Sequence, residues 1–427
     1  MRVYILAGEP SGDLIASGLM RALRRLVPSV EFRGVGGENM MAIGVGNGAG
    51  IATNTNDHNI GTERFKSLFD MSEISVMGFL EVVPRLPLII RRIRQTISDI
   101  EAFRPDVLVT VDSWGFVSAL LTKMRKKWRR EAAIQIPVVH YVAPQVWAWK
   151  KGRAKNVARL VDRLMTLLPD ERRWFECHGL RTDFVGHPIV ERVADATLDP
   201  DGFRVANDIS ADATVVTVLP GSRHSETKRL IPILKEAVES VAAKIQNIFV
   251  VVPTVPGVEE EVRRGFEDMT DRVPISVVIG EINRYNAFKI SKLAMAKSGT
   301  VSLELVSFGV PHMIVYTFGR LSDLIARRLV KVRFANLINI LADREIIPEL
   351  LLWKCRKDLI ADCAMTLLES HQTANKQMIE ATDVMQKLRL PDVLPSDRAA
   401  QIVAEMAGGL GNFRPTVRVN GSCEVNY

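Results

Sequence analysis

Three scarcities limit what this chain of 427 residues can be. Its four cysteines are widely spaced and form no CxxC pair, which argues against a cysteine-ligated zinc site and fits a reducing cytoplasm. Aromatic residues make up only 6% of the chain, too few for a series that stacks nucleic-acid bases along a groove. No stretch reaches the roughly 18 uninterrupted apolar residues that a membrane-spanning helix needs, and the N-terminal apolar run is too short for a signal peptide. We therefore expect no nucleic-acid partner, and we expect any membrane contact to come from outside the bilayer core.

Short motifs of familiar enzymes are also missing. The sequence contains no GxSxG, no HExxH and no P-loop GxxxxGK[ST]. The stretch GVGNGA at 44–49 matches the dinucleotide fingerprint, but no clear strand precedes it and no amphipathic helix follows it, so no dinucleotide cofactor is expected. Any group transfer would have to stabilise its leaving group with arginine and helix dipoles rather than with a metal ion.

The chain does contain enough apolar sequence for two domains. Hydrophobic residues make up 47% of it and charged residues 25%, and its length exceeds that of one ordinary core. Lysine and arginine total 56, against 49 for aspartate and glutamate. This moderately basic balance favours phosphate-bearing or anionic-surface partners without demanding them.

Short β-branched runs alternate with amphipathic segments along most of the chain. This pattern is typical of βαβ units on a parallel sheet, and it occurs in two series separated by a polar stretch broken by proline and glycine. We therefore predict an α/β protein with two Rossmann-like, doubly wound domains that face a cleft and bind ligands at the carboxyl ends of their strands. The predicted parts are an N-terminal domain 1–190 with a loop insertion 44–64, a linker 191–213, a C-terminal domain 214–385 and a mobile tail 408–427.

Two strand ends in the N-terminal half carry polar residues that suit a site. The stretch AGEPSGD follows the first strand and opens a helix, where glycine allows a tight turn close to a ligand. Its candidate residues are Gly8, Glu9, Ser11, Gly12 and Asp13. Asp112 ends the run DVLVTVD, where a general base can take a proton from an incoming hydroxyl. The alternatives are an ordinary strand-to-helix turn for the first stretch and a helix cap for Asp112.

Two turns in the C-terminal half suit a phosphate. In LPGSR, Gly221 and Ser222 offer backbone donors, and Arg223 can fork onto phosphate oxygens. In AKSGTVSLE, residues 298–300 stand at a helix start whose free N–H groups favour a diphosphate. Glu304 follows one turn later and can accept hydrogen bonds from ribose hydroxyls. The alternatives are a basic, solvated helix start for the first turn and a surface glutamate for Glu304.

Two further segments suit a substrate. The stretch HYVAPQVWAWKKGR follows a strand end, and we expect Trp147, with Gln145 before it, to shape one wall of a ligand site. Core packing is the alternative for its tryptophans. Residues 68–97 combine crowded apolar side chains with arginines, which suits an anionic membrane surface or an acyl chain, although a plain core helix fits the pattern as well. The apolar candidates are Val76, Met77, Phe79, Leu80, Val83 and Leu86.

The ordered set of motifs resembles the lipid-A-disaccharide synthase family, inverting and metal-independent glycosyltransferases of the GT-B type. The matching motifs are AGEPSGD, GVGGENM, FDMSEISVMGFLEV, HYVAPQVWAW, VGHP, LPGSR, SGTVSLE and NILADREIIPE. The resemblance implies a hexosyltransferase that moves 2,3-diacylglucosamine from UDP-2,3-diacylglucosamine to the 6-hydroxyl of 2,3-diacylglucosamine 1-phosphate. The products would be lipid A disaccharide 1-phosphate and UDP.

The same resemblance implies roles for individual residues. Asp112 matches the family's candidate base, and the stretch around Met77 matches its apolar, membrane-facing surface. The residues that match or adjoin its nucleotide-sugar pocket are Gly221, Ser222, Arg223, Ser298, Gly299, Thr300, Glu304, Asn339, Arg344 and Glu345. After Asp112 the chain departs from the family's DSPDFN, with Gly115 and Val117 in place of an acidic residue and an asparagine.

The resemblance also implies a cellular setting. It implies no metal or other cofactor, a peripheral place on the cytoplasmic face of the inner membrane, and a C-terminal helix, 386–407, that packs on the N-terminal domain. A homodimer is left open. The sequence leaves two other functions open as well: a UDP-sugar epimerase of the same fold, because a fold does not decide chemistry, and a non-catalytic peripheral protein that binds anionic lipid. The epimerase would have no use for the arginine-bordered apolar segment 68–97.

Overall fold

The chain forms two compact units. The computed structural model describes residues 1–43, 64–75, 79–130, 135–146, 152–194, 196–317 and 333–408. Unit 1 combines Met1–Pro188 with the chain from Leu388 onward, and unit 2 is Ile189–Lys387. Nearly all of the predicted insertion 44–64, and the predicted tail beyond Gly408, lie outside the described residues.

Unit 1 is built on a parallel sheet. Within its described residues the order is β2-β1-β3-β4-β5-β6, and all neighbouring strands run parallel. The strands are β1 (Arg2–Ala7), β2 (Glu31–Val35), β3 (Val107–Val111), β4 (Val138–Tyr141), β5 (Arg163–Thr166) and β6 (Thr182–Phe184). Strand β3 is buried along its whole length and reads VLVTV, because a strand covered by helices on both faces has no polar side to alternate.

Helices cover the sheet of unit 1. They are α1 (Pro10–Leu26), α2 (Glu38–Met41), α3 (Phe79–Phe103), α4 (Trp114–Trp128), α5 (Gly152–Leu160) and α6 (Arg172–Glu176). Helix α1 starts with Pro10 at its first turn, where the missing N–H costs no hydrogen bond. Its apolar side, including Leu19 and Leu23, packs on one face of the sheet. Helix α4 packs on the other face through Leu120 and Leu121.

Unit 2 repeats this architecture with its own sheet. The strand order in the described residues is β12-β11-β10-β7-β8-β9, again all parallel. The strands are β7 (Thr214–Leu219), β8 (Ile248–Thr254), β9 (Ile275–Ile279), β10 (Leu293–Lys297), β11 (His312–Tyr316) and β12 (Glu349–Leu351). Its described helices are α7 (Ile189–Ala194), α8 (Pro200–Ala206), α9 (His224–Ala242), α10 (Glu259–Phe266), α11 (Glu281–Ile290), α12 (Val301–Ser307), α13 (Leu337–Ala342), α14 (Lys357–Glu369) and α15 (His371–Gln386).

The segment 191–213, predicted as a linker, belongs to unit 2 instead. It contains most of α7 and all of α8, and Phe203 and Ile209 are buried in a core with residues of β7 and β8. The proline and glycine that suggested a linker fall at the first turn of α8, where Pro200 is favoured and Gly202 donates to the capping Asp199 side chain. The correction extends unit 2 to begin at Ile189.

The chain then returns to unit 1 in helix α16 (Pro395–Gly408). Ala399, Ile402 and Val403 of this helix join the apolar side of α1 in one core cluster. The guanidinium of Arg163, 1% exposed, ion-pairs with Glu405 of α16 at 2.7 Å and with Asp183 at 2.7 Å. A buried guanidinium that lost these partners would cost several kcal/mol, roughly 3–5, so α16 is an integral part of unit 1.

Two parallel six-stranded sheets with covering helices confirm the predicted α/β class and its Rossmann-like domains. Throughout the described ranges, no helix is both long and apolar enough to cross a membrane.

Candidate functional site

The first candidate site lies where β3 and β4 of unit 1 end side by side. Asp112 and Ser113 follow β3 with φ of 54° and 46°, and Val142 follows β4 with φ of 77°. A left-handed backbone costs of order 1–3 kcal/mol at a residue with a side chain, most of all at a β-branched one such as valine. Three such residues at adjacent strand ends mark a place where the fold holds the chain against its preference.

The first turn of α1 approaches this edge closely. A Cβ on Gly8 would lie 2.6 Å from Ser113 Oγ, and a Cβ on Gly12 would lie 3.2 Å from the carbonyl oxygen of Val111. The predicted need for glycine in this turn therefore has a packing cause, because any side chain at Gly8 would displace Ser113. The approach also lets the Ser11 hydroxyl donate to Asp112 Oδ2 at 3.4 Å.

The Asp112 carboxylate has few partners. Its Oδ1 accepts from the backbone N–H of Ser113 at 2.8 Å, and its Oδ2 accepts from the Ser11 hydroxyl at 3.4 Å. Burial raises the pKa of Asp112 above the ordinary value for an aspartate, and the two hydrogen bonds only partly oppose this rise. A carboxylate with a raised pKa is a better proton acceptor, which is the property a general base needs.

Within the described ranges, Asp112 forms no ion pair, and a histidine lies on the neighbouring strand β4, a feature that the sequence pattern did not indicate. His140 is fully buried in β4, where Thr110 Oγ1 lies 2.8 Å from its Nδ1 and the Trp114 ring packs edge-on at 4.9 Å. Burial lowers the pKa of His140 to about 3, so the ring is neutral at physiological pH. Among the residues described, its Nε2 and Ser113 Oγ are buried without a hydrogen-bond partner.

Asp13, a predicted site residue, is committed to the fold. Its buried carboxylate accepts from the backbone N–H groups of Gly37 at 2.7 Å, Asn39 at 2.9 Å and Met40 at 3.2 Å. The Asn39 side-chain amide donates to it as well, at 2.9 Å. These bonds hold the turn that starts α2, so Asp13 acts on any site indirectly. Glu9 precedes α1 and Gln145 is exposed after β4, whereas Trp147 lies outside the described residues.

The second candidate site is a cavity of about 270 Å³ at the carboxyl ends of the strands of unit 2. It lies where β7, β8 and β10 end. The predicted residues that line it are Gly221, Ser222, Arg223, Ser298, Gly299, Thr300 and Glu304. Seven residues that the sequence reasoning did not single out also line it: Leu219, Pro253, Thr254, Val255, Arg284, Lys297 and Val301.

Glu226 organises the cations of this cavity. It is buried in the first turn of α9, where its carboxylate lies 2.9 Å from Lys297 Nζ and 3.2 Å from Arg223 Nη1. Burial alone would raise the pKa of Glu226, but Lys297, the Ser222 N–H and Arg223 outweigh burial and leave the pKa below its ordinary value. The bond from the Ser222 N–H, at 3.1 Å, occupies a donor that was expected to face a phosphate.

Gly221 is constrained by the same carboxylate. Its φ is +120°, and a Cβ would lie 2.6 Å from Glu226 Oε2 and 2.7 Å from Glu226 Cβ. Only glycine fits this backbone conformation and this space without moving Glu226.

Glu304 forms a second network of charged side chains together with Arg284 and Arg192. Its carboxylate is buried in α12, and its two oxygens lie 3.0 Å and 3.2 Å from the Arg284 guanidinium. Arg192 of α7 lies 3.7 Å from the same carboxylate. Burial raises the pKa of Glu304, although Arg284 and Arg192 oppose the rise. In the described part of the chain, Glu304 Oε2 and Thr254 Oγ1 are buried without a hydrogen-bond partner, and both residues line the cavity.

Three predicted nucleotide-site residues do not line this cavity. Asn339 is fully buried, and its amide donates to the Ile347 carbonyl and to Glu349 while its oxygen accepts from the N–H groups of Ile346 and Ile347. Such an amide has no capacity left for a ligand. Arg344 ion-pairs with Glu380, and Glu345 accepts from the backbone N–H of Glu349 at 3.2 Å. In this structure the three residues hold the turn between α13 and β12.

Unit 2 contains a second cavity. A larger hollow of about 520 Å³ lies between α8 and the end of β9, with Asp199 and Arg263 as its charged lining residues. Within the described residues, no group of three or more His, Cys, Asp or Glu side chains is placed to hold a metal ion.

Of the apolar residues predicted to face a membrane, Leu86 of α3 in unit 1 is 49% exposed. Val76 and Met77 lie outside the described residues, and the candidates Phe79, Leu80 and Val83 fall in the first turns of α3.

Comparison with known proteins gives a consistent result. The family model described as lipid-A-disaccharide synthetase matches residues 3–53 and 50–403. The lipid-A-disaccharide synthase of Paramagnetospirillum magneticum is 42% identical over 408 residues, covering 95% of this chain and 97% of the relative. That of Rhodospirillum centenum is 40% identical over 402 residues, covering 94% of this chain and 93% of the relative.

A solved structure with a similar fold is the UDP-GlcNAc 2-epimerase from Neisseria meningitidis bound to UDP-GlcNAc. It superposes with a TM-score of 0.59 at 13% identity, covering 95% of this chain and 99% of that one. At this identity the likeness concerns the fold alone.

Proposed function

This chain belongs to the lipid-A-disaccharide synthase family, and we propose that its two strand-end sites divide the work of that enzyme between them. The chain is a hexosyltransferase that moves 2,3-diacylglucosamine from UDP-2,3-diacylglucosamine to the 6-hydroxyl of 2,3-diacylglucosamine 1-phosphate. The products are lipid A disaccharide 1-phosphate and UDP. The observation that carries the proposal for the residues is the contrast between a sparsely compensated carboxylate in unit 1 and a cation-lined cavity in unit 2.

In the proposed mechanism Asp112 is the general base. The acceptor 6-oxygen attacks the anomeric carbon, its proton passes to the Asp112 carboxylate, and the bond from the anomeric carbon to the diphosphate oxygen breaks with its electron pair. One direct displacement inverts the anomeric configuration. The raised pKa of Asp112 suits this role, because a buried carboxylate with few hydrogen-bond donors and little water around it binds a proton more strongly.

The cavity in unit 2 is the proposed site for the UDP part of the donor. Glu304 Oε2 ion-pairs with Arg284 but accepts no hydrogen bond, which supports a hydrogen bond from a ribose hydroxyl to this buried oxygen. Arg223 is half exposed at the mouth of the same cavity, where it can reach the diphosphate. Residues 298–300, which directly precede α12, line the cavity as well.

We propose that no metal takes part in the transfer. The charge of a departing UDP would be balanced by arginine and by the polarised backbone N–H groups of the strand-to-helix turns. The support is that the side chains lining the cavity include cations, Arg223, Arg284 and Lys297, in the place where a metal-dependent site would gather carboxylates.

We also propose a peripheral position on the cytoplasmic face of the inner membrane. Leu86 and its neighbours at positions 84–87 of α3 are exposed, and Arg91 and Arg94 further along this helix are exposed as well. An exposed leucine beside arginines suits the boundary between acyl chains and anionic headgroups, where the lipid substrates reside.

The deciding experiment is a mass-spectrometric assay of the purified protein with both lipid substrates, in the presence of EDTA. Formation of the tetraacyl disaccharide phosphate with an equal amount of UDP is the expected result. Protein that is folded and binds UDP but forms no disaccharide would refute the proposal. Interconversion of unacylated UDP-N-acetylglucosamine without an acceptor would favour an epimerase instead. Loss of activity in EDTA that returns with Mg²⁺ would overturn the metal-independent mechanism alone.

A further inference from the structure

A lysine stands at the end of an interior strand of unit 2, where the pattern calls for an apolar residue. Strand β10 reads LAMAK, with four buried residues before Lys297. The register pairs Ala296 with Leu219 of β7, so Lys297 follows at the edge where the turn 220–223 begins. Its side chain is 22% exposed and lines the cavity. Retaining a partly desolvated lysine at this position requires compensation.

Glu226 supplies only part of that compensation. Its carboxylate lies 2.9 Å from Lys297 Nζ and also binds Arg223 Nη1 at 3.2 Å. Two cations that line the cavity, Lys297 and Arg223, thus share the Glu226 carboxylate. Arg284, the third cation that lines the cavity, ion-pairs with Glu304 at 3.0 Å. A ligand with more than one negative charge would be attracted to the cations that line this cavity.

We propose that Lys297 is a further catalytic residue that contacts the diphosphate of the UDP-sugar, and that Glu226 is the positioning residue that aims Lys297 and Arg223 at it. The inference rests on the proposed UDP site. When the bond from the anomeric carbon to the diphosphate oxygen breaks, its electron pair stays on the diphosphate, and the Lys297 ammonium stabilises that growing charge without giving up a proton. Because Glu226 already holds the ammonium in place, little reorganisation is needed as the charge develops.

The test compares Lys297→Met with Lys297→Arg in the full chain. Calorimetry with UDP and with uridine separates the diphosphate from the nucleoside, and initial rates separate kcat from KM. We expect Lys297→Met to weaken UDP binding about tenfold and to lower kcat about a hundredfold, while uridine binding is unchanged. Lys297→Arg should keep most of both, because it keeps the charge.

Lys235 offers a matched control on the same unit. Its side chain is 20% exposed and pairs with the single carboxylate of Asp268, but it does not line the cavity. Lys235→Met should leave UDP binding and kcat unchanged. If Lys297→Met fails to fold because Glu226 is left buried and unpaired, the double variant Lys297→Met, Glu226→Gln removes both charges and should fold while still binding UDP weakly.

Each result separates this inference from the proposed reaction. UDP affinity and kcat that are unchanged in Lys297→Met would overturn the inference and leave the proposed reaction intact. An equal loss of uridine and UDP affinity would assign Lys297 a purely structural role and also overturn it. A wild-type protein that binds UDP through Lys297 but forms no disaccharide would refute the reaction and support the diphosphate site.

Discussion

The two strand-end sites differ in how their carboxylates are balanced. In unit 2, Glu226 and Glu304 each lie within 3.2 Å of a cation, and together they engage lysine and arginine side chains from several elements. In unit 1, Asp112 has two hydrogen-bond donors and, among the described residues, no ion pair. Its setting includes a neutral histidine and a backbone held in the left-handed region.

The difference corresponds to two kinds of work. A binding site profits from cations that are already oriented, because their desolvation and ordering costs are met during folding rather than on binding. A general base profits from the opposite condition, since each cation or donor at the carboxylate lowers its affinity for the proton it must accept. Within the part of the chain that the structure describes, cations compensate the two glutamates of unit 2, whereas Asp112 of unit 1 forms no ion pair.

The most severe way to break this contrast is Asp112→Asn. Asparagine has the same shape and tolerates a left-handed backbone, but it cannot accept the acceptor's proton. We expect kcat to fall by about two orders of magnitude or more while UDP affinity stays near normal. Mass-spectrometric initial rates and calorimetry measure the two effects.

The control for Asp112→Asn is Asp208→Asn. Asp208 also has φ of 54°, but it is exposed after α8. That variant should keep full activity. Near-normal turnover in Asp112→Asn itself would remove Asp112 from the base role.

A smaller effect is expected from Gly221→Ala in the cation-lined cavity. The new Cβ would meet the Glu226 carboxylate at 2.6 Å and force it to move. Because Glu226 aims Arg223 and Lys297, we expect UDP affinity to fall about tenfold. Gly280→Ala is the control: its φ is +95°, yet a Cβ there meets nothing within 4 Å. Equal losses of UDP affinity in the two variants would mean that backbone strain, and not the displaced carboxylate, is responsible.

The smallest effect should come from Ser11→Ala, which we expect to change only the pH dependence of kcat/KM. Asp112 must be ionised to act, so kcat/KM falls as the pH drops through its pKa, which burial places above the ordinary aspartate value. The Ser11 bond lowers that pKa, and its loss should move the acidic limb of the rate profile upward by a fraction of a pH unit. Ser118→Ala, which removes a hydroxyl bonded to the Gly115 carbonyl, should leave the limb in place. A limb that moves downward in Ser11→Ala would contradict the assignment.

Much of unit 2 could be predicted from local sequence. The β-branched runs predicted its parallel sheet. The resemblance to the synthase family assigned the turns at 221–223 and 298–300 to one pocket, and both turns line the same cavity. Lys297 and Glu226 were missed because each looks ordinary in its own segment, as a strand-end lysine and an acidic residue in the first turn of a helix. Only the register of β10 on β7 brings them together.

The contacts of two other predicted residues could not be foreseen for the same reason. Asn339 was grouped with the nucleotide site by its motif, but its four hydrogen bonds are made within residues 339–349 and depend on how that turn folds. Asp13 looked like a free polar residue because its four donors come from residues 37–40. In unit 1, the position of Asp112 followed from the strand pattern, whereas the left-handed backbone at Val142 could not be foreseen from a valine.

The return of α16 to unit 1 fixes an order of events during synthesis. A ribosome releases β1 to β6 first, then all of unit 2, and only then the helix that covers α1 and pairs with Arg163. Unit 2 can therefore complete its sheet while unit 1, which was begun first, still lacks the helix whose Ala399, Ile402 and Val403 join its apolar core. A premature stop codon shortly before Pro395 would leave UDP binding intact and lower the stability of unit 1, which carries Asp112. A helix near the end of the chain thus stabilises the part that is translated first.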